Sequence, residues 1–160
     1  MQINTLKAGE WTRYSGPVIT IRDASQAKMK EAYESGKKLP FSLKDRIVLY
    51  AAPAMSKKII IGPTTSSRMD EGLGFLLEQG VTATIGKGKR TKQAIELMKK
   101  HKAPYFILMS GVSAYLSDFF KEGKIIAYKE LGPEAVYEFT ASGLLLITAI
   151  DSSGRSIFDQ

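Results

Sequence analysis

The sequence predicts an α/β fold in which a mixed sheet is covered by flanking helices. Two features of its 160 residues support this class. Up to residue 120, short apolar segments rich in β-branched residues alternate with segments whose apolar residues recur at helical spacing. Beyond residue 123, apolar segments follow one another with only Gly-Pro-Glu and Ser-Gly turns between them. Alternating units favour parallel strands, and we expect strands from both ends of the chain to add a second β layer.

The first half of the chain contains two predicted strand–helix units. A strand over 16–23 precedes a helix over 24–35, which Gly36 ends. Apolar residues then predict strands over 46–53 and 57–62, divided by a Pro-containing turn. The following helix has a core-facing apolar stripe made of Met69, Leu73, Leu76 and Leu77.

The second half continues the alternation and then changes to strands alone. A strand over 81–86 leads to a helix whose apolar face contains Ala94, Leu97, Met98 and His101. A strand over 105–109 precedes another segment with helical spacing, which contains Val112, Tyr115, Leu116, Phe119 and Phe120. The last strands are expected over 124–131, 135–142 and 144–151.

Length and composition favour one domain, residues 1–160, with a hydrophobic content of 44% that suffices for a sizeable core. No apolar run approaches the roughly 20 residues that a membrane span needs, and the N-terminus lacks a charged-then-apolar leader. We therefore expect a cytoplasmic protein with no membrane partner. The chain has no cysteine and a single histidine, His101, so we expect no metal site in it.

The net charge of +7 suits an anionic partner, either a nucleic acid or an acidic small molecule. In the densest basic segment, 87–102, lysine and arginine face only Glu96. Aromatic residues on which bases could stack are not interleaved there, so a solvated helix face is the favoured interpretation. The segment 86–90 also lacks the Ser or Thr that follows lysine in nucleotide phosphate loops. A basic module that binds nucleic acid or other anions without catalysis stays an alternative.

Three polar segments follow predicted strands, at 21–23, 62–68 and 86–90. Ligands of α/β sheets collect beyond the carboxyl ends of strands, so we expect these segments to converge. The first contains Arg22, for which a salt bridge to Asp23 is an equally good interpretation from spacing alone.

The segment 61–70, Ile-Gly-Pro-Thr-Thr-Ser-Ser-Arg-Met-Asp, is open to two interpretations. Ser67 and Asp70 have the spacing of a helix capping box. Capping does not explain the two threonines or Arg68, and an arginine in the first turn opposes the helix dipole. Arg68 either holds a carboxylate with two parallel hydrogen bonds or forms a surface pair with Asp70 or Glu71.

Taken together and in order, several segments resemble the C-terminal (beta) part of class I fumarate hydratases and L(+)-tartrate dehydratases. They are "GPVITIRDASQAKMKEA", "IIIGPTTSSRMDEGLGFLLEQG", "TIGKGKRT", "YFILMSGVSAYLS" and "YKELGPEAVYEF". The resemblance extends over about residues 15–140, and "GPTTSSRMD" and "KELGPEAVYEF" are its most specific parts. It implies a single swivelling-type β/β/α domain, here as a separate subunit.

The resemblance also implies the functional residues. Thr64 corresponds to the threonine that acts as the base at the substrate carbon, and Arg22, Arg68 and Lys87 correspond to groups that hold the substrate carboxylates. Such fixed positive charges neutralise and orient a dicarboxylate without consuming protons. This sequence departs from the family pattern at Gln26, where a histidine is usual, and at positions 66 and 67, which are Ser-Ser rather than Ala-Gly.

The implied activity is the reversible hydration of fumarate to (S)-malate, with L(+)-tartrate dehydration as the alternative. The implied cofactor is a four-iron, four-sulfur cluster held by three cysteines of a partner alpha subunit, because iron–sulfur ligation needs thiolates and this chain has none. We expect a two-plus-two heterotetramer that is active only with the alpha subunit. A threonine hydroxyl is a weak base, so we also expect the group that activates Thr64 to come from the partner.

Overall fold

The computed structural model describes residues 2–108 and 116–159. Strands β1 to β8 are Trp11–Ile21, Ile47–Tyr50, Ala54–Met55, Ile59–Ile60, Ala83–Gly86, Tyr105–Ile107, Phe120–Ala127 and Val136–Ile150. Helices α1 to α3 are Asp23–Glu34, Leu73–Glu78 and Lys92–His101. Within these two ranges, 3-10 helices are formed by Ile3–Thr5, Ser66–Gly72 and Lys129–Glu134.

The main sheet closes on itself as a barrel. Strands β1, β2, β5 and β6 are neighbours in that order and run parallel. The long strand β8 is antiparallel to both β6 and β1, which completes the ring. Strand β7 is added to the first half of β8. The predicted α/β class with a mixed sheet and flanking helices is confirmed, but the strands from the chain ends join the same sheet rather than a second layer.

The tail forms one strand where the sequence predicted two. Strand β8 runs through the Ser-Gly pair at 142–143, which was expected to be a turn. Two residues of β8 there oppose the single residue Ser15 of β1, and Gly143 has a φ of 66°. Its amide donates to Ser15 Oγ at 2.8 Å. The glycine therefore allows a β-bulge that bends the strand without ending it, because a positive φ is accessible to glycine at little cost.

Other predicted boundaries also need correction. β1 begins at Trp11 rather than at residue 16, because its first half alternates between exposed and half-buried residues instead of being continuously apolar. The isoleucine-rich segment 57–62 is not a barrel strand, since only β4 forms there and it pairs with β3 in a separate hairpin. Phe120 begins β7 and is not helical. The remaining prediction for 112–115 lies outside the described residues.

The apolar core fills the barrel and continues under the helices. Four strands contribute Leu49, Ile85, Phe106, Phe139 and Leu146 to one buried cluster. The predicted stripe Met69, Leu73, Leu76 and Leu77 is buried as expected. In α3, Ala94 and Met98 are buried, whereas Leu97 and His101 are half-buried. No helix within the two described ranges has the length and apolarity needed to cross a bilayer.

Candidate active site

The parallel strands bring three of the predicted site positions to one end of the barrel. Arg22 directly follows β1, and Lys87 directly follows β5. Strand β2 lies between these strands, and the carbonyl of its last residue, Tyr50, accepts from the Thr64 amide at 2.7 Å. The Ser66 amide in turn donates to the Lys87 carbonyl at 3.0 Å. Arg22, Thr64 and Lys87 therefore lie around the carboxyl ends of three neighbouring strands.

Arg68 reaches the same edge through an ion pair. It lies on the 3-10 helix Ser66–Gly72, and its Nη2 is 2.6 Å from Oδ2 of Asp23. The Nε of Arg22 is 4.0 Å from the same oxygen. The surface pair considered from the sequence, with Asp70 or Glu71, is not formed. Both arginines instead face one carboxylate at the start of α1.

Several groups at this edge are unsatisfied. The Nε of Arg22 is buried and has no hydrogen-bond partner. Thr64 is 9% exposed, and its hydroxyl has no partner within the described part of the chain. Lys87 is exposed. Because buried donors normally find partners, an anion that reached Arg22 would complete its hydrogen bonding.

A cleft of about 340 Å³ opens beside the ion pair, between α1 and the 3-10 helix. Asp23, Gln26, Arg68, Glu71 and Gly72 line it. Gln26 is buried, and its Nε2 donates to the Met69 carbonyl at 3.0 Å while its Oε1 is without a partner. A Cβ at Gly72 would lie 2.3 Å from that amide nitrogen, so glycine is required for the contact. Gln26 therefore joins α1 to the helix that carries Arg68.

The capping box predicted from Ser67 and Asp70 is wrong. The segment begins as a 3-10 helix whose N-cap, Thr65, makes no side-chain capping bond, and Ser67 is exposed. The Asp70 carboxylate instead accepts from Arg90 Nε at 2.6 Å and from the Thr91 amide at 2.8 Å. A buried guanidinium requires an acidic partner more strongly than a helix end requires a cap, since the cap contributes only about 1 kcal/mol.

Arg90 is a functional candidate that sequence reasoning missed. The lysine-rich segment around it predicted a solvated face, yet the Arg90 side chain is fully buried. Its guanidinium lies 5.3 Å from the Tyr50 ring centre and 4.8 Å from that of Tyr105, and it donates to Thr84 Oγ1 at 3.1 Å. One local signal could have indicated this role, namely an arginine within a segment that otherwise uses lysine. Planar guanidinium groups stack on aromatic rings better than ammonium groups do, so an arginine there is a candidate for packing against tyrosines.

The two tyrosines beside Arg90 are neutral at physiological pH. Burial raises the pKa of Tyr105 to about 12, although a hydrogen bond with Ser66 and the Arg90 charge act in the opposite direction. Burial likewise raises the pKa of Tyr50, with Arg90 again opposing. For Arg90, burial lowers the pKa, but Tyr50 and Asp70 outweigh this effect and the pKa is raised. The cluster thus holds an ionised Arg90, whose charge the Asp70 carboxylate balances, beneath the edge that contains Thr64 and Lys87.

Comparison with known proteins shows the family of this chain. The whole chain, residues 1–160, matches the family described as Fumarase C-terminus. The chain belongs to this family. It is 33% identical over 168 residues to a protein of Methanocaldococcus jannaschii with the provisional name L(+)-tartrate dehydratase subunit beta, and the match covers 99% of this chain and 86% of that protein.

Longer proteins also match this chain. Fumarate hydratase 2 of Leishmania major is 30% identical over 165 residues, which are 99% of this chain and 29% of that enzyme. The anaerobic class I fumarate hydratase of Escherichia coli strain K12 is 32% identical over 152 residues, which are 91% of this chain and 28% of that enzyme. The chain therefore spans less than a third of these two enzymes and corresponds to one part of each.

Proposed function

We propose that this chain is the beta subunit of an iron–sulfur-dependent hydro-lyase that interconverts fumarate and (S)-malate. One observation carries the proposal: a chain of the fumarase C-terminus family gathers Arg22, Arg68 and Lys87 around Thr64 at one end of its barrel. Residues 1–160 act as one swivelling-type domain in this proposal.

The cationic groups bind the substrate carboxylates. Arg68 is held by a carboxylate that is 42% exposed, and a substrate carboxylate can replace it with a two-pronged contact. Arg22 has an unsatisfied Nε that a second oxygen can reach, and Lys87 adds a third positive charge. Fixed cations that lie on a rigid barrel orient a dicarboxylate before the proton moves, which lowers the entropic part of the barrier.

Thr64 is the base in this proposal. Its amide is anchored to Tyr50, and its hydroxyl is left without a partner in the described part of the chain. During dehydration the activated hydroxyl takes a proton from the carbon beside one carboxylate, the electrons of that C–H bond form the double bond, and the hydroxyl group on the neighbouring carbon leaves, so that water is lost overall. During hydration these steps run in reverse. A hydroxyl needs an activating neighbour for this role, and we assign that neighbour to the partner subunit.

The cofactor belongs to another chain. Iron–sulfur clusters are held by thiolates, and this sequence contains no cysteine. Within the described ranges, no group of three or more acidic or histidine side chains is placed to hold a metal ion. The donor set does not fit a cluster, so a partner alpha subunit binds it, and the assembly is a two-plus-two heterotetramer in the cytoplasm.

L(+)-tartrate dehydration is the second candidate. It is favoured by the relative from Methanocaldococcus jannaschii, whose length this chain covers to 86%. Tartrate and malate are both hydroxylated dicarboxylates, so the same three cations suit either. The distinction depends on the contacts to the additional hydroxyl group of tartrate.

The test is anaerobic co-expression with a candidate alpha subunit that carries three separated cysteines, followed by assays on fumarate, (S)-malate and both active stereoisomers of tartrate. We expect the assembled complex to be active and the isolated chain to be inactive and free of iron. An assembled, cluster-loaded complex that is inactive on all of these substrates contradicts the proposal. Stoichiometric iron–sulfur absorbance in the isolated chain contradicts the assignment of the cluster to the partner.

A further inference from the structure

Two separate segments carry the proposed base and the proposed lysine. Thr64 and Ser66 belong to the connection after the β3–β4 hairpin, whereas Lys87 and Gly88 follow β5. The backbone hydrogen bond from Ser66 to Lys87, at 3.0 Å, joins the two segments. One backbone hydrogen bond is too weak by itself to fix the two segments relative to each other.

The Tyr105 hydroxyl provides a second and deeper connection. Tyr105 lies on β6, and its side chain has no exposed surface. Its hydroxyl oxygen is 3.0 Å from Ser66 Oγ and 3.0 Å from the carbonyl oxygen of Gly88. A phenol both donates and accepts, and so does a serine hydroxyl, so one oxygen can bond to both segments at once.

The surroundings leave this hydroxyl little freedom. The Tyr105 ring packs against the buried Arg90 guanidinium, which Asp70 holds at 2.6 Å. Ser66 is fully buried, and a Cβ on Gly86 would lie 1.8 Å from its Oγ. Ser66 is thus in direct contact with the backbone of β5. The hydrogen-bonded link from Ser66 through Tyr105 to Gly88 is therefore packed against Arg90 on one side and Gly86 on another.

We propose that Tyr105 is a positioning residue of the active site that holds the Thr64 segment in register with the Lys87 segment. The proposal rests on the proposed function, because it assigns those two segments to catalysis. Tyr105 itself is fully buried and acts through Ser66 and Gly88 rather than by touching the substrate. Removing its hydroxyl leaves the fold in place but loosens the two segments.

The first experiment measures amide hydrogen exchange in the full chain carrying Tyr105→Phe. The Ser66 amide donates to the Lys87 carbonyl, so its exchange reports directly on the link, and the Thr64 amide, which donates to the Tyr50 carbonyl, reports on how firmly its own segment is held. We expect exchange at both amides to become at least about tenfold faster. The control is Tyr14→Phe, which removes a hydroxyl bonded to the Pro17 carbonyl at 2.9 Å in β1 and should leave both rates unchanged. Equal exchange in Tyr105→Phe and wild type overturns the proposal.

A second experiment uses the assembled enzyme. For Tyr105→Phe we expect kcat to fall about 10- to 100-fold with KM within about threefold, because misplacement affects the transition state more than ground-state binding. Ser66→Ala should show a smaller loss, and the double variant should be no worse than Tyr105→Phe within about twofold, since both changes break one link. Additive losses, or a lower melting temperature with unchanged kcat, overturn the proposal.

The two experiments separate the two proposals. If wild type assembled with its alpha subunit has no hydro-lyase activity, the proposed function is wrong, and hydrogen exchange still decides whether Tyr105 joins the segments. If Tyr105→Phe does not fold, Ser66→Ala removes the same link from the other side and is measured by the same exchange. Unchanged exchange of the Thr64 amide in Ser66→Ala then overturns the proposal.

Discussion

Two arginine–aspartate pairs near the end of the barrel that contains Thr64 have the same nitrogen–oxygen distance but opposite exposure to solvent. Arg68 and Asp23 approach to 2.6 Å with side chains that are 53% and 42% exposed. Arg90 and Asp70 also approach to 2.6 Å, but their side chains are 0% and 6% exposed. One short 3-10 helix contributes Arg68 to the first pair and Asp70 to the second. The helix therefore places the Arg68 side chain in an exposed pair on its outer side and the Asp70 side chain in a buried pair on its inner side.

The difference shows that burial, rather than distance, decides what such a pair does. In the exposed pair, water screens the attraction and the net contribution is between about 0 and 1 kcal/mol. A substrate carboxylate can therefore replace Asp23 at small cost. In the buried pair, each charge has lost its hydration, so either partner alone becomes a buried unpaired charge. This pair is suited to holding segments in place, not to binding a ligand.

The largest expected effect is at the buried pair. Asp70→Asn leaves the Arg90 charge uncompensated, and we expect the free energy of unfolding to fall by about 3 to 5 kcal/mol. Denaturant titration of the isolated chain measures this, with Asp23→Asn as the matched control that removes the carboxylate of the exposed pair. If the two variants lose equal stability, the distinction between the pairs is wrong.

Arg68→Lys tests the functional side of the exposed pair. Lysine keeps the charge but cannot form the two-pronged contact, so we expect a loss of about 2 to 4 kcal/mol in transition-state stabilisation, or roughly 30- to 1000-fold in kcat/KM. Stability should change by no more than a few tenths of a kcal/mol. Steady-state kinetics of the assembled enzyme and thermal melts measure both. A kcat/KM within about threefold of wild type would leave Arg68 with a surface role only.

A third pair of intermediate burial sharpens the comparison. Arg155 is 67% exposed and Asp151 is 2% exposed, with 3.0 Å between Nε and Oδ2. Burial raises the pKa of Asp151, but hydrogen bonds from Ser153, Ala8 and Arg155 outweigh this effect and hold its pKa below the usual range. We expect Asp151→Asn to lower the free energy of unfolding by about 1 to 3 kcal/mol near neutral pH, which lies between the effects at the other two pairs.

This effect should depend on pH in one direction. A carboxyl group with a lowered pKa in the folded state stabilises the fold above the unfolded value, about 3.9 for aspartate, and this contribution is lost as the pH falls through the folded value. The stability difference between wild type and Asp151→Asn should therefore be largest near neutral pH and shrink below about pH 4. A difference that grows on acidification would show that the pKa is not lowered. Denaturant titrations at several pH values measure it.

The smallest expected effect is that of Asp23→Asn. Stability should stay within about 0.5 kcal/mol of wild type. In the proposed function Asp23 competes with the substrate for Arg68, so we expect KM of the assembled enzyme to fall by about two- to fivefold, or roughly 0.4 to 1 kcal/mol. An increase in KM would instead mean that Asp23 orients the arginines for the substrate.

The sequence predicts much of the edge because position in the chain sets position in a parallel sheet. Arg22 and Lys87 follow apolar segments that are buried on both faces, so their placement at strand ends could be deduced. Arg90 could not, since its burial depends on Asp70 and Tyr105, which local patterns do not connect to it. From the sequence, Asp70 fits a capping box as well as a buried ion pair. Only the tertiary structure shows that it pairs with Arg90.

Barrel closure could not be predicted for a similar reason. A Ser-Gly pair is typical of a turn, and its role as a bulge at 142–143 depends on the presence of β1 alongside. The hairpin of β3 and β4 was mistaken for part of the sheet because three isoleucines predict a strand without specifying its partner. Local propensity gives the type of an element more reliably than the element it pairs with.

The long strand β8 has a consequence for how the protein folds. Its partners in β1 are near the opposite end of the chain, for example Ile147 beside Trp11 and Leu146 beside Thr12. Such contacts require the closure of long loops, and folds dominated by them form in about milliseconds to seconds rather than microseconds. During synthesis, the ring cannot close before residues 136–150 have left the ribosome. Until then β1 and β6 expose unpaired edges, which makes this interval the one in which the nascent chain is most prone to associate with other chains.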